Sequence, residues 1–352
     1  MKFAFRFIVG WLFVAVVSSA PAAFTSLYVF GDGVCTTTNG PGGSDYYGDR
    51  YSNGRVWIEV LAQRQGLTYE SNKNWSFFGH FSPNLVENVT AFTPTNASTA
   101  LFVVWVCNAD FVENLTKPEF APYASNNLAI WTDAINLTLS NHVVAVQTLY
   151  AKGARTLIVP NAVDITKAPF YNLDLASEAF IRQRVIDFNL AFTNRMNLLR
   201  TSLTNLTIII PDMFALLEDI TTHPATFGLT NVTSYAIFDF ATPVFTGPAT
   251  NYLFWDYLHP GAKVHEVLAD SVQHQLSPAR VNELVSLGSN VQLTVANMPL
   301  GLNGFVDAST NLLTWTQVQN FSSTNLTQNL TAPASGPLRF YRLRFPFAWS
   351  WP

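Results

Sequence analysis

Between Ser26 and about Pro278 the chain passes again and again from a short apolar run, through a polar loop, into a stretch of helical period. That alternation leaves few folds open, because strands that each return through a helix lie side by side in parallel, with helices covering the sheet. LYVF at 27–30 reads as the first strand, and GRVWIEVLAQRQGL from Gly54 places Val56, Trp57, Val60 and Leu61 on one helical face, with Gly66 as the stop. TALFVVWV at 99–106 reads as a buried strand, the segment 128–154 as one long helix ending at Gly153, and RTLIVPN from Arg155 as the next strand. A helix over 178–203, a strand LTIIIPD at 206–212 and a last helix at 261–276 complete the series. The expected architecture is a parallel, three-layer α/β/α sheet over 24–278.

After Pro278 the texture changes. Short alternating runs such as VQLTV, LTWTQV and RFYRLRF, separated by Gly, Asn, Pro and Ser, predict a small all-β, sandwich-like module over 279–352. Its aromatics Trp315, Phe340, Tyr341, Phe345 and Trp349 suit either the core of that module or a carbohydrate-facing surface. At the other end Lys2 and Arg6 precede an apolar run from Phe7 to Val17 and a small-residue tail with cleavage sites after Ala20 or Ala23, the pattern of a signal peptide over 1–23. An amino-terminal anchor is the alternative. VVWV at 103–106 and LIVP at 157–160 are too short to span a bilayer, so no stable membrane span is expected in the mature, exported chain.

Apolar residues make up 49% of the sequence and charged residues 12%, which excludes a disordered chain. A net charge of -4, with Lys and Arg totalling 19 and no basic block, gives no footprint for nucleic acid. There is no H-E-x-x-H, no C-x-x-C pair and no nucleotide-binding glycine motif, so neither a metal nor a cofactor is implied. Asn88, Asn96, Asn114 and Asn136 head N-x-S/T sequons, read as surface loops unless the host glycosylates them.

The chemistry-bearing candidates sit where a parallel sheet would put a crevice, at the carboxyl ends of its strands. In FWDYLHP, Asp256 and His259 are three apart. The carboxylate can turn back onto Nδ1 and leave Nε2 as a general base, although the spacing also suits a loop histidine beside a capping aspartate. Gly79, in NWSFFGHFSPN, reads as either a turn glycine or one whose N–H approaches an oxyanion.

VFGDG at 29–33, SNGRVWIEVLA at 52–62, FGHFS around Gly79, WVCNADF at 105–111 and FWDYLHP at 254–260 together resemble the GDSL, or SGNH, family of esterases and lipases over about residues 26–278. The resemblance implies a flavodoxin-like fold and ester hydrolysis by a Ser-His-Asp triad, with a small acyl ester or acylated glycan as substrate. Carried across, Asp256 and His259 keep the roles of orienter and base, Gly79 looks like the oxyanion glycine, and Asp32 keeps the structural acid beside the nucleophile position. The departures are large. Gly33 stands in place of the nucleophilic serine, and the family's G-x-N-D is CNAD here, so Cys107 replaces glycine, Ala109 replaces the oxyanion asparagine and Asp110 alone fits. Asn108, one place early, would need a differently bent loop.

Several readings stay open. His259 could activate water over Gly33, whose N–H still points into the site. Cys35, two residues on, could attack instead, or could pair with Cys107 in a disulfide across two neighbouring loops; two isolated buried thiols are the remaining reading. A binder without catalysis on the same scaffold is the alternative to a hydrolase. His80 could touch substrate, while His142, His265 and His274 read as helix-surface residues. Trp105 and Phe111 could line a pocket or pack beneath the loop.

Overall fold

The parallel sheet is built from β1 (Leu27–Gly31), β2 (Leu101–Trp105), β3 (Thr156–Ile158) and β4 (Thr207–Ile209), hydrogen-bonded in that order. This computed structural model describes residues 24–240, 245–334, 339–346 and 350–351, so the signal peptide expected over 1–23 lies outside the described residues. All five residues of β1 and of β2 are buried, as strands covered on both faces must be. On the free side of β1, Asn74 forms a parallel bridge with Val29, and Trp75 donates its N–H to the Val29 carbonyl at 2.8 Å. That segment covers what would otherwise be an exposed sheet edge.

Helices cover both faces, and the expected three-layer α/β/α arrangement is observed. α1 (Trp57–Arg64) packs with the last helix, α8 (Ala262–Leu276), in one layer. α2 (Ser82–Ala91), α3 (Cys107–Thr116), α4 (Leu128–Ala151) and α5 (Leu175–Ser202) form the other. In α1 burial goes beyond the apolar face, because two charged residues are buried as well. Glu59 takes two hydrogen bonds from Arg50, at 2.6 and 2.7 Å, and Arg64 donates to Asp270 of α8 at 2.7 Å, which satisfies each charge. Of the sequons expected in loops, Asn88 lies within α2, Asn114 within α3 and Asn136 within α4.

The region between 212 and 261, where the sequence pattern predicts no strand, holds α6 (Met213–Thr222), a short parallel pair of β5 (Asn231–Tyr235) and β6 (Tyr252–Phe254), and the single turn α7 (Ala236–Asp239). β6 delivers the Trp255–His259 loop, and the Trp255 N–H closes it by donating to the His259 carbonyl at 2.8 Å.

Beyond α8 comes a separate antiparallel module. One sheet runs β10 (Thr316–Ser322), β9 (Asn303–Ser309), β12 (Phe340–Arg344), β13 (Ser350–Trp351), and the other runs β11 (Thr327–Pro333), β8 (Asn290–Ala296), β7 (Arg280–Leu287). Val291, Leu293, Val306, Leu343 and Phe345 form its core. Of the five closing aromatics, Phe345 is core, Tyr341 packs against the core, Phe340 opens β12 opposite Ser309 of β9, Trp315 lies under Arg342 with the guanidinium 4.4 Å from the ring centre, and Trp349 lies outside the described residues. The buried Arg64 links the two parts: it donates to the Leu300 carbonyl at 3.1 Å and accepts from the Leu300 N–H at 3.2 Å.

Candidate active site

Parallel pairing of β1 with β2 brings the loops after Gly31 and Trp105 together, and the Asp32 N–H donates to the Trp105 carbonyl at 3.2 Å. The β6 loop meets them there. Asp256 Oδ1 accepts the Leu258 and His259 N–H groups, each at 2.8 Å, so the carboxylate is fixed by its own loop. His259 Nδ1–H donates to the same carboxylate at 2.9 and 3.0 Å, and the Tyr46 hydroxyl donates to Oδ2 at 3.2 Å. Burial pushes the Asp256 carboxyl up, but the neighbouring His259 and these hydrogen bonds outweigh burial and hold it below the ordinary carboxylate range. The carboxylate is therefore ionised and fixes the imidazole tautomer.

His259 Nε2 then faces Gly33. A Cβ placed on Gly33 would lie 2.4 Å from that nitrogen, far inside van der Waals contact. The imidazole occupies the volume in which a serine side chain would begin. It is held there by Tyr51, whose ring stacks on it with centroids 4.3 Å apart and planes 24° apart, and by Phe78 at 5.8 Å.

A cavity of ≈ 230 Å³ opens at this point, lined on one side by Asp32, Gly33, Gly79, Asn108 and His259, and on the other mainly by apolar side chains including Val112, Ile165 and Phe170. Among the described residues, neither the Gly33 nor the Gly79 N–H has a protein acceptor. Gly79 has φ +76° with open space where a side chain would sit, so its backbone conformation, and not crowding, favours glycine there.

The other predicted residues divide. Asp32 lines the cavity, its Oδ1 accepting the Val34 N–H at 3.0 Å, and burial raises its pKa to about 6 against the opposing effects of that bond, His259 and Asn108. Asn108 also lines the cavity, but its Oδ1 accepts the Val163 N–H at 3.0 Å and its side chain is hydrogen-bonded to Asp32, so its amide is already engaged. Ala109 lines the cavity and brings no donor. Asp110 turns away and accepts the Ser82 hydroxyl at 2.7 Å and the Ser82 N–H at 3.1 Å, capping α2 directly after the Gly79 loop; burial raises its pKa to about 7.

Of the three cysteine readings, two isolated buried thiols is the one observed, and the other two are corrected. Cys35 and Cys107 are free, buried thiols, so the possible disulfide is not formed. Cys35 does not face the cavity: a tight turn, closed by Cys35 N–H on the Asp32 carbonyl at 3.0 Å, folds it into the core, where Trp57 Nε1–H donates to its sulfur at 3.2 Å. Burial pushes its thiol pKa well above the usual value, which removes it as a substitute nucleophile. Cys107 opens α3 with its thiol 3.9 Å from the Pro160 carbonyl.

His80 does not reach the cavity; it is buried, donating through Nδ1 to the Gly31 carbonyl at 2.8 Å and accepting from Asn88 at 3.2 Å. His142 and His265 are fully buried instead of lying on helix surfaces, and His274 is half-buried. His265 Nδ1 accepts the Trp57 N–H at the start of α1, at 3.2 Å, which gives it an internal capping role. Phe111 packs in the core against Trp131 and Phe188, and Trp105 donates to the Asn161 carbonyl at 3.0 Å. Among the described residues, no group of three His, Cys, Asp or Glu side chains is placed to hold a metal ion, and no helix is long and apolar enough to cross a membrane.

Sequence reasoning missed Tyr46, Tyr51 and Phe78. The run Tyr46-Tyr47-Gly48-Asp49-Arg50-Tyr51 puts three tyrosines into a glycine- and serine-rich loop, an aromatic density that packing onto a distant element explains.

Comparison with known proteins gives a family match and several distant relatives. The family model for GDSL-like lipase/acylhydrolase matches residues 27–272. A GDSL esterase/lipase of Arabidopsis thaliana is 23% identical over 262 residues, covering 69% of this chain and 68% of that protein. The thermolabile hemolysin of Vibrio parahaemolyticus is 22% identical over 246 residues, covering 66% of this chain and 57% of that protein. Among solved structures, phospholipase A1 from Streptomyces albidoflavus is 15% identical with a TM-score of 0.43, covering 72% of this chain and 100% of that one.

Proposed function

The chain belongs to the GDSL-like lipase/acylhydrolase family, and from that premise we propose that it hydrolyses ester bonds of an acyl ester or acylated carbohydrate, using water in place of the family's serine. The observation that carries the reading is the assembled Asp256–His259 pair with Nε2 directed at Gly33. In this mechanism Nε2 takes a proton from water as the water oxygen adds to the ester carbonyl carbon. The N–H groups of Gly33 and Gly79 receive the developing oxyanion. When the tetrahedral adduct collapses, the proton passes from Nε2 to the departing alkoxide, leaving a carboxylic acid and an alcohol. Asp256 stays ionised throughout and holds Nδ1–H.

Without a covalent intermediate, binding and the backbone donors supply on the order of 10³–10⁴ over water, and the base adds about 10²–10⁴-fold. The test is hydrolysis of a short chromogenic acyl ester by the purified protein beside His259→Ala, with and without reductant. The variant should lose about 10²–10⁴-fold, and reductant should change nothing, since Cys35 faces the core. Equal rates in the two proteins sink the proposal.

One observation favours a second reading, a ligand-binding protein without catalysis. The imidazole fills the nucleophile volume, and Ala109 supplies no amide, so water and oxyanion both have less room and fewer donors than in a complete site. Saturable ligand binding with no turnover in the same assay supports that reading. Export goes with either: a protein recovered from culture medium should begin at Pro21 or Phe24, and an intact Met1 there overturns the signal-peptide expectation.

A further inference from the structure

A carbonyl oxygen bound at Gly33 meets two backbone donors, the N–H groups of Gly33 and Gly79, and Ala109 adds none. The wall of the same cavity holds an acid that the mechanism above leaves unused. Among the described residues lining it, Asp32 is the one buried carboxyl, 4% exposed and next in sequence to the donor at Gly33. Glu113, the other carboxyl on the wall, lies at the surface with the Lys117 ammonium 3.2 Å away, and burial together with the Asp256 charge keeps the Tyr257 phenol protonated.

Asp32 has no permanent counter-charge. The titratable groups acting on it are His259 from the β6 loop, Asp110 and Cys107 of α3, and Cys35 in its own turn, none of them a fixed cation. Its Oδ1 accepts the Val34 N–H at 3.0 Å and Asn108 adds a second hydrogen bond, yet burial outweighs both and raises its pKa to about 6. An ionised Asp32 would set a second negative charge in a cavity of ≈ 230 Å³ as the oxyanion forms, and like charges so enclosed oppose one another. A protonated Asp32 reverses the sign of that interaction, because its O–H is a donor.

We propose that Asp32 acts as the general acid of this site, delivering its proton to the ester carbonyl oxygen from the nucleophile side while His259 takes one from water. The catalytic role rests on the hydrolase reading above; the O–H donor itself does not. As the water oxygen bonds to the carbonyl carbon, the π electrons of C=O move to oxygen and the Asp32 proton joins them. The result is a neutral tetrahedral adduct, an Asp32 carboxylate and a His259 imidazolium. When C=O re-forms, that proton returns to Asp32 and the imidazolium gives its own to the departing alkoxide, so both groups end as they began. The acid thus takes up charge that two N–H donors would otherwise hold alone. Unlike surroundings separate the two roles, a buried carboxyl that keeps its proton and an imidazole fixed as base by Asp256.

The probe is ethyl methylphosphonate, a stable anion shaped like the tetrahedral adduct, with affinity read by calorimetry from about pH 5.5 to about pH 7.5. Wild type should bind it about tenfold more weakly at the upper end than at the lower, because ionised Asp32 repels it. Asp32→Asn carries an amide N–H and no charge, so its affinity should change less than about twofold across the range. Asp32→Leu has neither charge nor donor and should bind weakly throughout. Binding by Asp32→Leu as tight as by Asp32→Asn would show that the charge alone matters and overturn the donor; should the leucine variant fail to fold, Asp32→Asn still decides. A pH dependence in Asp32→Asn as steep as in wild type overturns the proposal, since it assigns the proton to His259 or Asp110. Phosphonate binding that follows Asp32 in a protein that turns over no ester removes the catalytic role with the hydrolase reading and leaves Asp32 a binding donor. Ester turnover beside wild-type phosphonate binding indifferent to pH keeps the hydrolase and removes the acid.

Discussion

The two halves of the candidate site are built to different standards. On the base side, Asp256 receives hydrogen bonds from Leu258, from the backbone N–H and the Nδ1–H of His259 and from Tyr46, and Tyr51 stacks on the imidazole. On the nucleophile side Gly33 has no side chain, Cys35 points into the core, Ala109 has no donor and Asn108 is engaged elsewhere. Yet both sides are equally well placed. What holds the nucleophile loops is Asp32 N–H on the Trp105 carbonyl, the turn from Asp32 to Cys35, and Asp110 on Ser82, and none of these requires a serine at 33 or an asparagine at 109. A frame of this kind can lose reactive groups and keep its shape, which is why family membership fixes the fold more firmly than the chemistry. The glycine leaves its mark locally: Nε2 of the imidazole lies 2.4 Å from where a Cβ on residue 33 would sit.

The sharpest way to break this contrast is to damage the better-built side. Asp256→Asn keeps the shape but offers His259 an amide in place of an ionised carboxylate, so the imidazole loses the partner that fixes Nδ1–H toward the loop. Turnover of a short ester should fall by about 10²–10⁴-fold with little change in KM. A variant that keeps more than a tenth of wild-type kcat would show that the base side is not where catalysis resides.

The contrast also separates what the sequence makes legible from what it does not. Strands and helices with a strong apolar period, such as β1, β2, α4, α5 and α8, follow from periodicity, and the Asp256–His259 spacing foretells a contact closed within one loop. The direction of Cys35 does not follow, because a single turn at 32–35 decides whether a side chain two residues past Gly33 enters the cavity or the core. The β5–β6 pair escapes notice because Asn231–Tyr235 has almost no apolar alternation and makes only an irregular pairing. His142 and His265 are read as helix-surface residues because a histidine pattern carries no mark of burial. What buries His142 is the packing of Phe188 and Phe192 of α5 on its ring, and what engages His265 is the Trp57 N–H of α1, contacts between elements that only the fold brings together. Tyr46 and Tyr51 are some 210 residues from their partners, and no local pattern spans that gap.

On the nucleophile side the largest expected effect is on stability. Burial raises the Asp32 pKa from 3.8 to about 6, so between those pH values the native state binds a proton that the unfolded chain has released, and stability falls as pH rises through the window. Asp32→Asn removes this dependence. The variant should match wild type below about pH 4 and exceed it by up to ~3 kcal/mol above about pH 6, which urea melts across that range would read directly. Equal gains at pH 4 and pH 7 would mean that burial of the charge is not the cause.

Gly33→Ser asks whether the missing group can simply be put back. The new Cβ meets His259 Nε2 at 2.4 Å, and the imidazole cannot retreat freely while Tyr51 stacks on it and Asp256 holds Nδ1. The single variant should therefore lose about 1–3 kcal/mol to overpacking and gain little turnover. Adding Tyr51→Ala frees one face of the ring, and the pair should be more stable than the sum of the separate losses predicts. A stable, fast Gly33→Ser enzyme would show instead that the site is complete except for one hydroxyl.

The smallest effect tests how far the bracing of Asp256 reaches. The Tyr46 hydroxyl is its weakest tie, at 3.2 Å against 2.8 Å for the two N–H groups, and it comes from a loop 210 residues away. Burial and the Asp256 charge both raise the phenol pKa, so at any ordinary pH the hydroxyl keeps its proton and acts as a donor. Tyr46→Phe removes that donor and leaves the ring in place, and because the loop's own N–H groups still hold the carboxylate, the cost should be about 1 kcal/mol in a thermal melt and less than tenfold in turnover. A loss as large as that of Asp256→Asn would mean that the 38–53 loop, and not the Trp255–His259 loop, sets the position of the base, and would move part of the catalytic frame into the stretch whose tyrosines no local pattern assigns.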